Sequence, residues 1–222
     1  MKKVERLSVL LACLMILNLI LVSCGGGKSA LVGKWYLIEG STLGNPEEME
    51  LLKDGTAIVD GLGGITWKIE NQRFYLSHPL AAFSSDYKLS GAMLILEDDD
   101  GDNLIYMKPG GSSVKLAEGK WVNGSITSSN MAVAYSFNAI SEKTYFIWTN
   151  DDDDGDGSKS LAIVFTIFDE NDVYDSTVYS CWTDPYELTL FNNSRVTIVV
   201  RAYDEDEIGT FAIAYSTNST RP

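Results

Sequence analysis

The sequence predicts an all-β chain: a small meander or barrel, then a jelly-roll-like β-sandwich. Three observations carry this. No stretch of a dozen residues keeps the 3.6-residue apolar period of a surface helix. Short runs rich in Val, Ile, Tyr, Trp and Thr recur between turn-forming residues. In Ile65-Thr66-Trp67-Lys68-Ile69 the alternation is clean, giving one face to a core and one to water.

The N-terminus stands apart from this pattern. Lys2, Lys3 and Arg6 precede an apolar run from Val9 to Val22, interrupted by Asn18. The run is too short and too near the terminus for a permanent spanning helix, and it reads as an export signal over residues 1–23. It closes on Leu21-Val22-Ser23-Cys24, which resembles the lipobox of bacterial lipoproteins. That resemblance implies cleavage before Cys24, a diacylglycerol (with further acylation such as palmitate) on it, and a partner in the membrane. Two or three acyl chains, at about 0.8 kcal/mol per buried CH₂, hold a soluble domain where one does not. Gly25 after the cysteine favours the outer membrane or cell surface of the bacterial envelope. Residues 24–30, opening Cys24-Gly25-Gly26-Gly27, read as the anchored tether.

The first block covers residues 31–108. Its strands are read at Leu31–Ile38, Met49–Lys53, Thr56–Asp60, Ile65–Glu70, Phe74–Ser77, Asp86–Leu89, Met93–Glu97 and Leu104–Lys108. Lys53-Asp54-Gly55, Glu70-Asn71-Gln72, Ser90-Gly91 and Asp100-Gly101 supply the turns. A meander of such strands must curl or close to hide its edges. Gly33-x-Trp35, the Glu50–Thr56 hairpin, Thr66-Trp67-Lys68-Ile69 and the Tyr87–Leu94 hairpin resemble the small lipocalin-like domains of bacterial lipoproteins. The resemblance implies a barrel whose mouth could hold a small apolar ligand, lined by Trp35, Trp67, Phe74 and Tyr75. The alternative is that these rings fill a small barrel themselves.

Residues 109–114 read as a linker around Pro109-Gly110-Gly111, and a second block covers 115–222. Its longer strands are read at Met131–Phe137, Thr144–Thr149, Leu161–Phe168, Tyr186–Phe191, Arg195–Tyr203 and Thr210–Ser216. Leu161-Ala162-Ile163-Val164-Phe165 is apolar on both faces, as expected of a strand sealed by an opposing sheet and a neighbouring loop. Gly124-Ser125-Ile126, Tyr135-Ser136-Phe137, Thr144–Trp148, Gly155-Asp156-Gly157 and Gly209–Tyr215 resemble the pre-peptidase C-terminal type of β-sandwich on secreted bacterial proteins. That type accompanies proteases or other secreted domains and implies a role in binding or presentation.

Charge narrows the partners. The signal carries three basic residues and one acidic one, so its removal takes the formal net charge from −14 to −16. Such a surface repels nucleic acid and anionic headgroups. Of the three cysteines, Cys13 leaves with the signal and Cys24 is consumed by lipid, which leaves Cys181 beside Tyr179 and Trp182 as a small buried hydrophobe. In Asn150–Ser158, the residues Asp152, Asp154, Asp156 and Gly157 occupy positions one, three, five and six of a calcium-loop pattern. Ile163 stands where the twelfth-position Glu belongs, and other acidic tips recur at Glu97–Asp100 and Asp204–Glu207. Both a Ca²⁺ site and a solvated turn are therefore open for this loop.

Signs of catalysis are few. His78 is the sole histidine, no G-x-S-x-G occurs, and Val22 replaces the first glycine of the phosphate loop that Gly27-Lys28-Ser29 would end. The expectation is a non-catalytic binding module on the envelope, taking a glycan on exposed Trp148 or Trp182, an apolar ligand at Trp35 and Trp67, or a protein. A structural envelope lipoprotein without a small ligand is the alternative.

Overall fold

The computed structural model describes residues 28–40, 46–97, 101–109, 112–151, 159–170, 173–180, 184–204 and 206–222. The signal, Cys24 and the calcium-loop aspartates Asp152, Asp154 and Asp156 lie outside them, as do Cys181 and Trp182. Among the described residues, no helix is long and apolar enough to cross a membrane.

Eight antiparallel strands close into a barrel: β1 (Gly33–Glu39), β2 (Glu48–Leu51), β3 (Thr56–Val59), β4 (Leu62–Glu70), β5 (Arg73–His78), β6 (Ala81–Ser90), β7 (Met93–Glu97) and β8 (Asn103–Met107). Closure comes from β1, which pairs with β2 on one side and with β8 on the other. Strand alternation sends Trp35, Met49, Trp67, Phe74, Leu94 and Tyr106 into one core, so side chains occupy the interior. Tyr75 follows the same alternation outward, where the Lys68 ammonium lies 5.1 Å from its ring.

One helical turn, residues 28–31, precedes β1 and packs against the barrel core through Leu31. Leu31 is fully buried in the barrel core, and its carbonyl accepts the Trp35 indole N–H at 2.7 Å. Lys28 sits 5.1 Å over the Trp67 ring, and Lys108, which donates to the Ala30 carbonyl, sits 4.5 Å over the Trp35 ring. The last three residues read as tether, Lys28 to Ala30, are thus folded against the barrel.

The second half forms two sheets. One has the order β10 (Val122–Ile126), β17 (Gly209–Ser216), β12 (Thr144–Asn150), β15 (Tyr186–Thr189). The other runs β14 (Val173–Tyr179), β13 (Ile163–Phe168), β16 (Ser194–Ala202), β11 (Ala132–Ala139), β9 (Val114–Lys115). Inward residues from both sheets, among them Tyr135, Ile147, Phe165, Ile198 and Phe211, share one core, so the sheets face each other as a sandwich. The expected strands are found with ends shifted by a few residues, while β9, β10 and β14 have no counterpart among them.

The strand at Ile163–Phe168 is buried on both faces as expected, and at Phe168 its outer side is covered by the barrel. Tyr36, Met93, Ile95, Ile105 and Met107, on the barrel's outer wall, join Ala132, Ala134, Phe168 and Val199 of the sandwich in a third core. Tyr36 and Phe168 meet at 5.9 Å between ring centroids, and the Met131 N–H donates to Ser90 Oγ at 2.7 Å across the junction.

Candidate functional site

Of the four tryptophans expected at ligand sites, Trp182 lies outside the described residues, and Trp35, Trp67 and Trp148 are packed inside. Trp35 and Trp67 belong to the barrel core, and the Trp67 indole N–H donates to the Leu52 carbonyl at 2.9 Å. Trp148 is buried rather than exposed, with its N–H on Ser216 Oγ at 3.1 Å. A buried indole whose N–H is satisfied internally presents neither a stacking face nor a donor to a ligand. His78 is the exposed last residue of β5, where its Nδ1 accepts the Leu80 N–H at 3.3 Å.

Among the described residues, a concave feature lies instead at one edge of the sandwich. There β14 and β15, the end strands of their two sheets among the described residues, lie side by side. Two tyrosines bridge part of the gap. Tyr174 donates to the Thr189 carbonyl at 3.1 Å, and Tyr186 donates to Asp175 Oδ2 at 2.9 Å. Burial first, then the Asp175 carboxylate, holds the Tyr186 phenol well above its usual range. Where the bridging stops, a cleft of about 210 Å³ opens, lined by Ile147, Thr149, Phe165, Val178, Tyr179, Asp184, Pro185 and Tyr186.

The composition of the cleft follows from strand alternation at the sandwich edge. Ile147, Phe165 and Val178 point into the sandwich core and make an apolar floor. The Tyr186 ring stands edge-on to Phe165 at 6.2 Å. Tyr179 is 64% exposed at the rim, and its ring lies 6.0 Å from Tyr203, also exposed. Just past the rim, Ser180 donates to the fully buried Asp151 carboxylate, which fixes the end of β14 against the end of β12. Among the described residues, the lining holds a carboxylate at Asp184 and no lysine or arginine. The lining thus combines an aromatic rim, an apolar floor and one acid.

Sequence reasoning ranked tryptophans first and missed these tyrosines. The available signal was Pro185-Tyr186 following an acid, Asp184, with Tyr179 a few residues earlier. Nothing local shows that these positions face one another. Among the described residues, no group of three or more His, Cys, Asp or Glu is placed to hold a metal ion.

No family model matches the chain, and no curated protein matches it. Among solved structures it is similar to the pre-peptidase C-terminal domain of a collagenase from Bacillus anthracis. The identity is 12% and the TM-score 0.37, over 47% of this chain and 95% of that one.

Proposed function

We propose that this chain is a lipid-anchored protein of the bacterial envelope, on the outer membrane or cell surface, that works as a non-catalytic binding module. The ligand site in this reading is the cleft between β14 and β15. The observation that carries it is the exposed Tyr179 at the rim of an apolar-floored cleft, with Asp184 beside it. Large aromatic surface is normally buried, so its exposure beside a concavity supports contact with something else. The anchor rests on Leu21-Val22-Ser23-Cys24.

Two experiments test the parts separately. Growth with an alkyne-bearing palmitate should label the wild-type chain and leave Cys24→Ser unlabelled; equal labelling of both refutes the anchor. For the cleft, a panel of glycans, fatty acids and peptides is screened by thermal shift against wild type and Tyr179→Ala. A ligand that raises the melting temperature of wild type alone supports the binding reading.

A second reading, a structural envelope lipoprotein without a small ligand, is favoured by the packing of Trp35, Trp67 and Trp148. It gains if the panel yields no such ligand. Calcium at Asp152, Asp154 and Asp156 belongs to either reading. Its expected sign is a rise in melting temperature with millimolar Ca²⁺ that disappears in the Asp154→Ala, Asp156→Ala variant.

A further inference from the structure

Resting on the cleft as the binding site, we propose that it takes a single cationic group on an apolar stem, the lysine or arginine side chain of a partner polypeptide. The first argument is charge. The chain carries 31 acidic residues against 17 basic ones, and among the described residues the cleft adds Asp184 and no basic side chain. A basic partner is drawn to such a surface from a distance, and an anionic one is turned away.

The second argument is how this chain treats its own aromatic rings. Lys28 covers Trp67, Lys34 covers Tyr36, Lys108 covers Trp35, Lys143 covers Tyr145 and Arg221 covers Trp121, each within 6 Å of the ring. Among the described residues, neither Tyr179 nor Tyr186 has a lysine or arginine over its ring. An incoming ammonium or guanidinium at the Tyr179 rim would supply that cation–π contact.

The third argument is shape. A volume of about 210 Å³ is small beside the clefts that enclose drug-sized ligands. It suits one long side chain, whose methylenes lie on Ile147, Phe165 and Val178 while the head stays near Asp184 and water. A partner bearing several such side chains would engage only one here.

The test uses the full chain in a polyoxyethylene detergent and saturation-transfer NMR on four probes. These are the Nα-acetyl methylamides of lysine, arginine and norleucine, and methyl N-acetylglucosaminide. The lysine and arginine probes should saturate with weak, roughly millimolar affinity, and norleucine, which keeps the stem and drops the charge, should bind about tenfold less well. Asp184→Asn and Tyr179→Ala, each checked for an unchanged melting temperature, should each weaken the cationic probes about fivefold. Norleucine binding as well as lysine, or Asp184→Asn leaving the affinity unchanged, overturns the proposal. Saturation by the sugar, lost in Tyr179→Ala, overturns the cation and keeps the cleft as a site. No saturation by any probe overturns both.

Discussion

Arg201 of β16 is tied to Glu39 of β1, an ion pair that joins the sandwich to the barrel. Arg201 is 6% exposed and Glu39 54% exposed, so the guanidinium is buried while its partner stays half in water. Arg201 also donates to the Ala202 carbonyl at 3.1 Å. On the barrel side, β1 shifts register against β8 between Leu37 and Glu39, a bulge that breaks the regular alternation beside the acid. The pair sits next to the apolar junction built on Tyr36 and Phe168.

Removing the acid strands a buried cation, which costs more than losing a surface pair. Solvent reaches Glu39, so the expected loss in Glu39→Ala is about 1–2 kcal/mol rather than the larger figure for fully buried pairs. Urea unfolding followed by tryptophan fluorescence reads it. Because the barrel and sandwich share a core, wild type should unfold in one transition. Splitting into two would show that the halves are energetically independent.

Leu31→Ala probes the helical turn under the barrel. The side chain is fully buried among Trp35 and its neighbours, so truncation should cost about 2–4 kcal/mol. A loss below about 0.5 kcal/mol, the range of ordinary surface changes, would mean that the turn does not hold its place in solution.

Gly124→Ala should destabilise the sandwich by overpacking. A Cβ at this position would lie 2.3 Å from both Phe211 Cζ and the Tyr135 hydroxyl oxygen. Those two rings already meet edge-on at 6.1 Å. The expected cost is about 1–3 kcal/mol, measured as a lowered melting temperature with the far-ultraviolet spectrum unchanged.

Alkaline pH should weaken the fold before it hydrolyses anything. Burial raises the Tyr135 phenol from 10.0 to about 12, and it also raises Tyr106, Tyr186 and Tyr215. Between these values the folded state keeps protons that the unfolded chain releases, so stability is full below pH 10 and falls as pH rises towards 12. Lys108, whose charged form burial disfavours, acts in the opposite sense. Tyrosinate absorbance should lag in the folded protein and then rise together with unfolding. Smooth titration of every tyrosine near pH 10 without unfolding contradicts this.

Much of the architecture was legible in the sequence because strand periodicity is local. Alternation in Ile65–Ile69 and the turns at Lys53-Asp54-Gly55 and Ser90-Gly91 were enough to place the barrel strands. The two-faced burial of Ile163–Phe168 was legible for the same reason. Its partner was not, although Met93-Leu94-Ile95-Leu96 and Leu104-Ile105-Tyr106-Met107 carry the matching signal, apolar at successive positions on β7 and β8. Strands of that kind in one barrel announce an outside contact, and only long-range packing says with what.

By itself, the sequence determined the all-β class and the acidic balance, because each is a property of neighbouring residues or of composition. Only the tertiary structure decided which aromatics are core and which are surface. Trp148 and Tyr179 both sit in runs of β-forming residues, yet one is sealed against Ser216 and the other stands at a cleft rim. Exposure depends on whether a strand ends its sheet. That is settled by pairings such as Phe165 with Val178 and Ile147 with Tyr186, between residues well separated along the chain.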